Sequence, residues 1–184
     1  MGGTVDPTTG AMIWEMRVPL EAQRAHYHAH PPRALAGLRA TPAEVTWAFD
    51  GHGEPVNAVF ALACACGATD LIPVGGLDDD DAVEAPISIE CEACEAVYTV
   101  FDPAQHGWDG ELDPTALPEP VLLGEIETAI DAPHQILVRY EYASEVLGDP
   151  AHAGREHDLF TWFTLLARDA DTGELALAFD AECA

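Results

Sequence analysis

Four of the five cysteines fall in two close pairs, Cys64-Ala65-Cys66-Gly67 and Cys91-Glu92-Ala93-Cys94, with twenty-four residues between them. Two such pairs, each on a β-turn, can bring four thiolates to the corners of a tetrahedron. Zn²⁺ favours that arrangement, with Zn–S distances of ~2.3 Å. Four protein thiolates leave no open coordination position, so the chemistry expected of Cys64, Cys66, Cys91 and Cys94 is structural and not Lewis-acid catalysis. Iron fits the same spacing, either alone or as an iron–sulfur site. Reduced core thiols and disulfides are the metal-free alternatives. Met1 to Gly10 lacks the basic start and apolar stretch of an export signal, which argues against an oxidising compartment and for the cytoplasm. Cys183, near the C-terminus, is read as a bystander.

The pattern over residues 56–101 resembles a zinc ribbon: a strand, CACG, a variable loop, a strand, CEAC and a strand. Gly67 after the first pair suits a knuckle whose backbone amides turn toward sulfur. The first pair is C-x-C where the family usually has C-x-x-C, and Glu95 stands where a Gly commonly follows the last Cys. The resemblance implies a structural Zn²⁺ and a small β module. It implies no particular function, because zinc ribbons serve mostly as interaction or structural modules in unrelated assemblies.

Other candidates are less specific. His26, His28 and His30 alternate in HYHAH. In a strand they would share a face and offer a second metal site; in a helix they would not converge. His106 and Trp108, in the Gly-rich loop after the ribbon, are a possible contact loop. They could equally dock that loop on the ribbon, with His106 hydrogen-bonding a cysteine ligand or a backbone carbonyl. The Asp78–Asp81 run fails the calcium-loop test, since Val83 and Ile89 occupy the positions of the sharp-turn Gly and the bidentate Glu. There is no G-x-S-x-G, P-loop, dinucleotide Gly motif or H-E-x-x-H. With no Lys, Schiff-base chemistry is excluded.

The elements that must position these residues read as mainly β, or α+β with few helices. The expected fold is an antiparallel β core with an embedded zinc-ribbon module and a short N-terminal helical arm. Three segments are expected: an arm over 1–40, a β hairpin plus ribbon over 41–120, and a C-terminal β segment over 121–184 that completes the core. Residues 11–18 read as a strand. A short helix begins after Pro19 and ends before Pro31-Pro32, and a further helical turn is expected over 34–40. Val45, Trp47 and Phe49 alternate in a strand that should pair with 56–63 across the Gly51–Pro55 turn. Residues 87–89, 96–101 and 135–142 read as strands, and 121–130 is ambiguous. The 159–167 and 174–180 segments flank a turn with Gly173, a strong hairpin signal.

Charge limits the partners. The chain has 33 acidic residues against 7 Arg and no Lys, a net charge of -26. Residues 40–138 hold twenty acids and no Lys or Arg. Nucleic-acid affinity comes largely from Lys and Arg contacts to phosphate, so direct nucleic-acid binding is not expected. No apolar run approaches the ~18 residues of a membrane span. A basic protein partner or a multiprotein assembly would be attracted and steered. The composition also suits a GC-rich genome or a salt-rich cytoplasm, so the acidity need not be functional. The expected role is a non-enzymatic zinc-binding accessory or interaction protein. Two alternatives use the same residues: an acidic inhibitor or immunity-type protein, including a DNA mimic, or a His/carboxylate metal-dependent enzyme.

Overall fold

The computed structural model describes residues 3–5, 12–14, 18–45, 56–75, 86–102, 105–106, 121–122 and 134–183. The mainly antiparallel β architecture is as the sequence predicts, with a short helix near the N-terminus. Two short strands, β1 (Gly3–Val5) and β2 (Met12–Trp14), form an antiparallel pair of their own.

Helix α1 (Leu20–Ala29) is bounded by Pro19 before it and Pro31-Pro32 beyond it. Proline suits a helix start but cannot continue a helix. Its buried residues, Gln23 and Tyr27, lie one turn apart on one face. The Tyr27 ring stacks on Tyr142 with centroids 3.7 Å apart. The Gln23 side-chain amide donates to the Val18 carbonyl at 2.7 Å and ties down the chain entering the helix.

The helical turn expected over 34–40 is only partly present. A 3-10 turn, Arg33–Leu35, buries Leu35, and the chain then extends into β3 (Leu38–Pro42). Pairing along a free sheet edge outweighs the weak helix propensity of that segment. β3 lies beside β4 (Val56–Cys64), with Leu38 opposite Cys64 and Pro42 opposite Phe60. The hairpin partner of β4 is therefore upstream of the Val45–Phe49 segment expected; Trp47 and Phe49 lie outside the described residues.

The larger sheet runs in the order β11-β10-β9-β4-β3, with β9 (His134–Tyr142), β10 (Trp162–Asp169) and β11 (Leu175–Glu182). The β10–β11 hairpin is present as predicted. Asp169 Oδ1 accepts the amides of Asp171 and Thr172 at 2.8 and 2.7 Å, and Gly173 takes φ +75°. Only a residue free of Cβ strain sits easily in that conformation.

The smaller sheet runs β7-β6-β5-β8, with β5 (Leu71–Gly75), β6 (Ile87–Cys91), β7 (Val97–Phe101) and β8 (Val121–Leu122). β5 stands where the zinc-ribbon pattern predicts a variable loop. Pro73 at its centre reads against a strand, yet β5 pairs with β6 on one side and β8 on the other. Of the ambiguous 121–130 segment, β8 is the part described, and it is strand.

Period-2 alternation sends one face of each sheet inward. Val56, Ala58, Phe60 and Leu62 of β4 point the same way as Ile136, Val138 and Tyr140 of β9. Ile87 and Ile89 of β6, with Phe101 of β7, join the same core. Phe101 stacks on Phe163 of β10 at 5.0 Å, and the Tyr140 hydroxyl donates to the Val100 carbonyl at 3.1 Å. Full burial of each such side chain contributes roughly 1.5–3 kcal/mol. On the other face of the larger sheet, Arg139 is 3% exposed. Its guanidinium donates to Asn57 at 2.6 Å, to Thr164 at 3.1 Å and to the Glu141 carboxylate. The charge is thus buried with its partners.

Candidate metal centre

The strand alternation that builds the core also delivers the cysteines. Cys64 is the last inward residue of β4, after Val56, Ala58, Phe60 and Leu62, and is fully buried. Cys91 is the last inward residue of β6, after Ile87 and Ile89. The second cysteine of each pair, Cys66 or Cys94, sits on the turn that follows and is exposed. Each pair thus offers one thiol from a rigid strand end and one from a turn. Cys64 terminates a strand of the larger sheet and Cys91 a strand of the smaller one, so the cluster lies across the seam between them.

The four sulfurs converge. All lie within 4.8 Å of one another, with Cys64–Cys94 at 3.5 Å and Cys66–Cys91 at 3.7 Å. A tetrahedron with metal–sulfur bonds of ~2.3 Å has edges of about 3.8 Å. A disulfide needs sulfurs ~2.05 Å apart, and all five cysteines are free. The donor set therefore fits a metal ion of tetrahedral thiolate preference, zinc and iron both included.

Two turns hold the geometry. In the first, the Cys64 amide donates to the Ala68 carbonyl at 2.8 Å and the Gly67 amide to the Cys64 carbonyl at 2.9 Å. The Cys66 amide points at the Cys64 sulfur, 3.5 Å away. Gly67 has φ +99°. In the second turn, the Cys91 amide donates to Ala96 and the Glu95 amide to Cys91, at 2.9 and 2.8 Å. Glu95 has φ +58° in the left-handed region. The two turns thus end on the same kind of backbone, one with Gly and one without. The Glu92 amide donates to the Asp70 carbonyl at 3.3 Å and links the second turn to the chain just before β5.

Three residues that sequence reasoning passed over complete the surroundings. The Tyr98 hydroxyl lies 3.2 Å from the Cys64 sulfur. Gly37 lets the Tyr98 ring close in, since a Cβ there would meet that ring at 2.8 Å. The Arg39 guanidinium donates to the Ala65 carbonyl at 3.1 Å and sets a cation beside the first turn. The hydrogen bond from Tyr98 and the amide of Cys66 hold the Cys64 thiol down to about 6. The Ala96 amide favours the Cys94 thiolate, but the Cys64 and Cys91 sulfurs outweigh it and push that thiol up to about 12. Crowded thiols resist sharing more than one negative charge without a cation among them. The signal for Tyr98 was its place four residues after Cys94 in an alternating strand; nothing local marked Gly37 or Arg39.

The other candidates do not join this cluster. His26 and His28 lie on α1, where alternate residues diverge, and His30 is the residue that ends it. His26 and His30 stack with centroids 4.5 Å apart, while His28 meets the Phe60 ring edge-on. Among the described residues, the four cysteines are the one group of metal-binding side chains that converges. His106 follows β7 and accepts the Asp102 amide at Nδ1, 2.9 Å away. Its ring lies against Phe101 and Phe160. The bond is to a backbone amide of the same turn and not to a cysteine ligand or a backbone carbonyl. Trp108 and Asp78–Asp81 lie outside the described residues. Cys183 is buried in the core, its thiol pushed up to about 12 by that burial.

Fold and site together define a two-sheet antiparallel β protein with a tetra-cysteine cluster able to hold a metal ion. Compared with protein-family models, curated proteins and solved structures, the chain matches none. No described helix is long and apolar enough to cross a membrane.

Proposed function

We infer that the protein is a non-enzymatic accessory or interaction protein whose tetra-cysteine site, of zinc-ribbon type, holds a structural Zn²⁺. The carrying observation is the convergence of Cys64, Cys66, Cys91 and Cys94 within 4.8 Å across the seam between the two sheets. A metal there is a staple between the sheets. Four thiolates saturate it, which favours structure over catalysis. A zinc tetrathiolate carries two negative charges, and Arg39 beside it offsets part of that in an otherwise acidic region.

The acidic surface supports a protein partner in this reading. With a net charge of -26, the chain attracts basic proteins and repels nucleic acid and anionic lipid. The test is a pair of variants. Cys91→Ser should lower zinc content and thermal stability together, whereas Cys183→Ala should leave zinc content at the wild-type level. Complete loss of zinc from Cys91→Ser with unchanged stability would refute the structural role. For the partner, capture from host lysate should return a basic protein whose retention falls steeply with salt. Salt-independent retention would count against charge as the recognition term.

A further inference from the structure

A cleft of about 620 Å³ lies away from the cysteine cluster, between the start of the segment after β7 and the 150s loop. Its size falls within the ~300–1,000 Å³ of small-molecule sites. Arg33, Arg155 and His106 line it together with Asp102 and Asp158. Two of seven arginines in one cleft is an unusual concentration for a chain this acidic.

Of the two acids in the cleft, Asp158 is paired with a cation and Asp102 is hydrogen-bonded but keeps its charge. Asp158 accepts the Arg33 backbone amide at 2.9 Å and pairs with the Arg33 guanidinium at 3.2 Å. It also lies 3.4 Å from His157 Nε2. Asp102 accepts the Gln105 side-chain amide. Arg155, in contrast, makes no side-chain hydrogen bond or ion pair with a described residue. His106 is fixed in one role: its Nδ1 accepts the Asp102 amide, so in the neutral ring the proton sits on Nε2. Nε2 makes no hydrogen bond with a described residue, and His106 lines the cleft.

We propose that this cleft binds a small organic monoanion through a carboxylate, with Arg155 as the charge partner and His106 Nε2–H as a second donor. A guanidinium presents paired N–H groups that match a carboxylate edge-on. The Leu159 side chain and the His106 ring give the rest of the ligand an apolar wall. Arg155 can pair with one negative charge, while the Asp102 carboxylate and the surrounding field of the chain disfavour a dianion. The proposal does not depend on the metal reading, because no cysteine lines the cleft.

Benzoate is a suitable probe, with benzamide as its neutral analogue, titrated into the full chain as purified while the His106 ring signals are followed by NMR. A ligand of this size is expected to bind with a Kd on the order of 10 mM. The expected result is a saturable shift at His106 with benzoate, absent with benzamide. Arg155→Gln should weaken it about tenfold or more, and Arg168→Gln, outside the cleft, should leave it unchanged. Since Arg155 is exposed, its replacement spares the fold. Absence of a saturable shift, equal response to benzamide, or equal binding by Arg155→Gln would overturn the proposal.

Discussion

The Tyr98 hydroxyl sits 3.2 Å from the Cys64 sulfur, at the point where β7 of one sheet meets the end of β4 of the other. The contact joins the two sheets through a metal-ligand candidate and its hydrogen-bond donor. Outer partners of this kind orient a ligand and tune its basicity. Tyr98→Phe keeps the ring and removes only the hydroxyl. It should leave the fold intact and weaken zinc binding about 10-fold or more, as read by competition with a chromogenic chelator. Equal affinity in the variant would show that the hydroxyl contributes nothing to the site.

Gly37 serves the same contact from the other side. A Cβ there would stand 2.8 Å from two ring carbons of Tyr98, closer than real side chains approach. Gly37→Ala should therefore displace Tyr98 and destabilise the protein by about 1–3 kcal/mol in urea unfolding. In the background of Tyr98→Ala, where the ring is gone, the same change should cost little. An equal cost in both backgrounds would place the defect elsewhere.

Glu95 carries the opposite kind of constraint. Its φ of +58° closes the second cysteine turn, as Gly67 at +99° closes the first. A side chain in the left-handed region costs roughly 1 kcal/mol relative to Gly. Glu95→Gly should raise the urea midpoint with no change in metal content, whereas Glu95→Ala should not raise it. A lower midpoint for Glu95→Gly would mean that the Glu side chain supplies a stabilising contact.

The site was legible in the sequence because its signal is local. Cys64 ends the alternating run Val56 to Cys64, and Cys91 ends Ile87 to Cys91, so strand period and cysteine spacing point to the same arrangement. What escaped was set by long-range pairing. Leu38 became strand because the edge of β4 was open to it, and no residue near Leu38 announces that. Pro73 disguised β5, because the sheet tolerates a missing amide that sequence rules penalise. Arg39 and Gly37 belong to the site only through the position of β3 and the turn before it. The short helix expected in the segment 1 to 40 is present, and long-range contacts place it on the larger sheet: Tyr27 stacks on Tyr142 of β9, and β3 pairs with β4.

Burial holds the imidazoles of His26, His28 and His106 below the ordinary histidine range. The unfolded chain therefore takes up protons near pH ~6.5 before the folded chain does. Unfolding free energy should fall as pH drops through that value, and continue to fall until the folded-state pKa values are passed. Protonation of carboxylates at lower pH works the other way, by relieving the repulsion of a net charge of -26. His28→Leu removes one of the three groups and should flatten the decline between pH ~7 and ~5.5. Urea midpoints across that range test this, and an unchanged slope would contradict it.

The central claim is that a metal ion joins the two sheets through Cys64, Cys66, Cys91 and Cys94. The most direct measurement is elemental analysis of chain purified under reducing conditions, with the melting temperature recorded before chelation, after chelation and after zinc is restored. The account predicts one zinc per chain, a loss of stability on removal of about 4 kcal/mol at zinc a thousandfold above Kd, and recovery on readdition. A chain that contains no metal, and whose melting temperature is unmoved by chelator or added zinc, would contradict it.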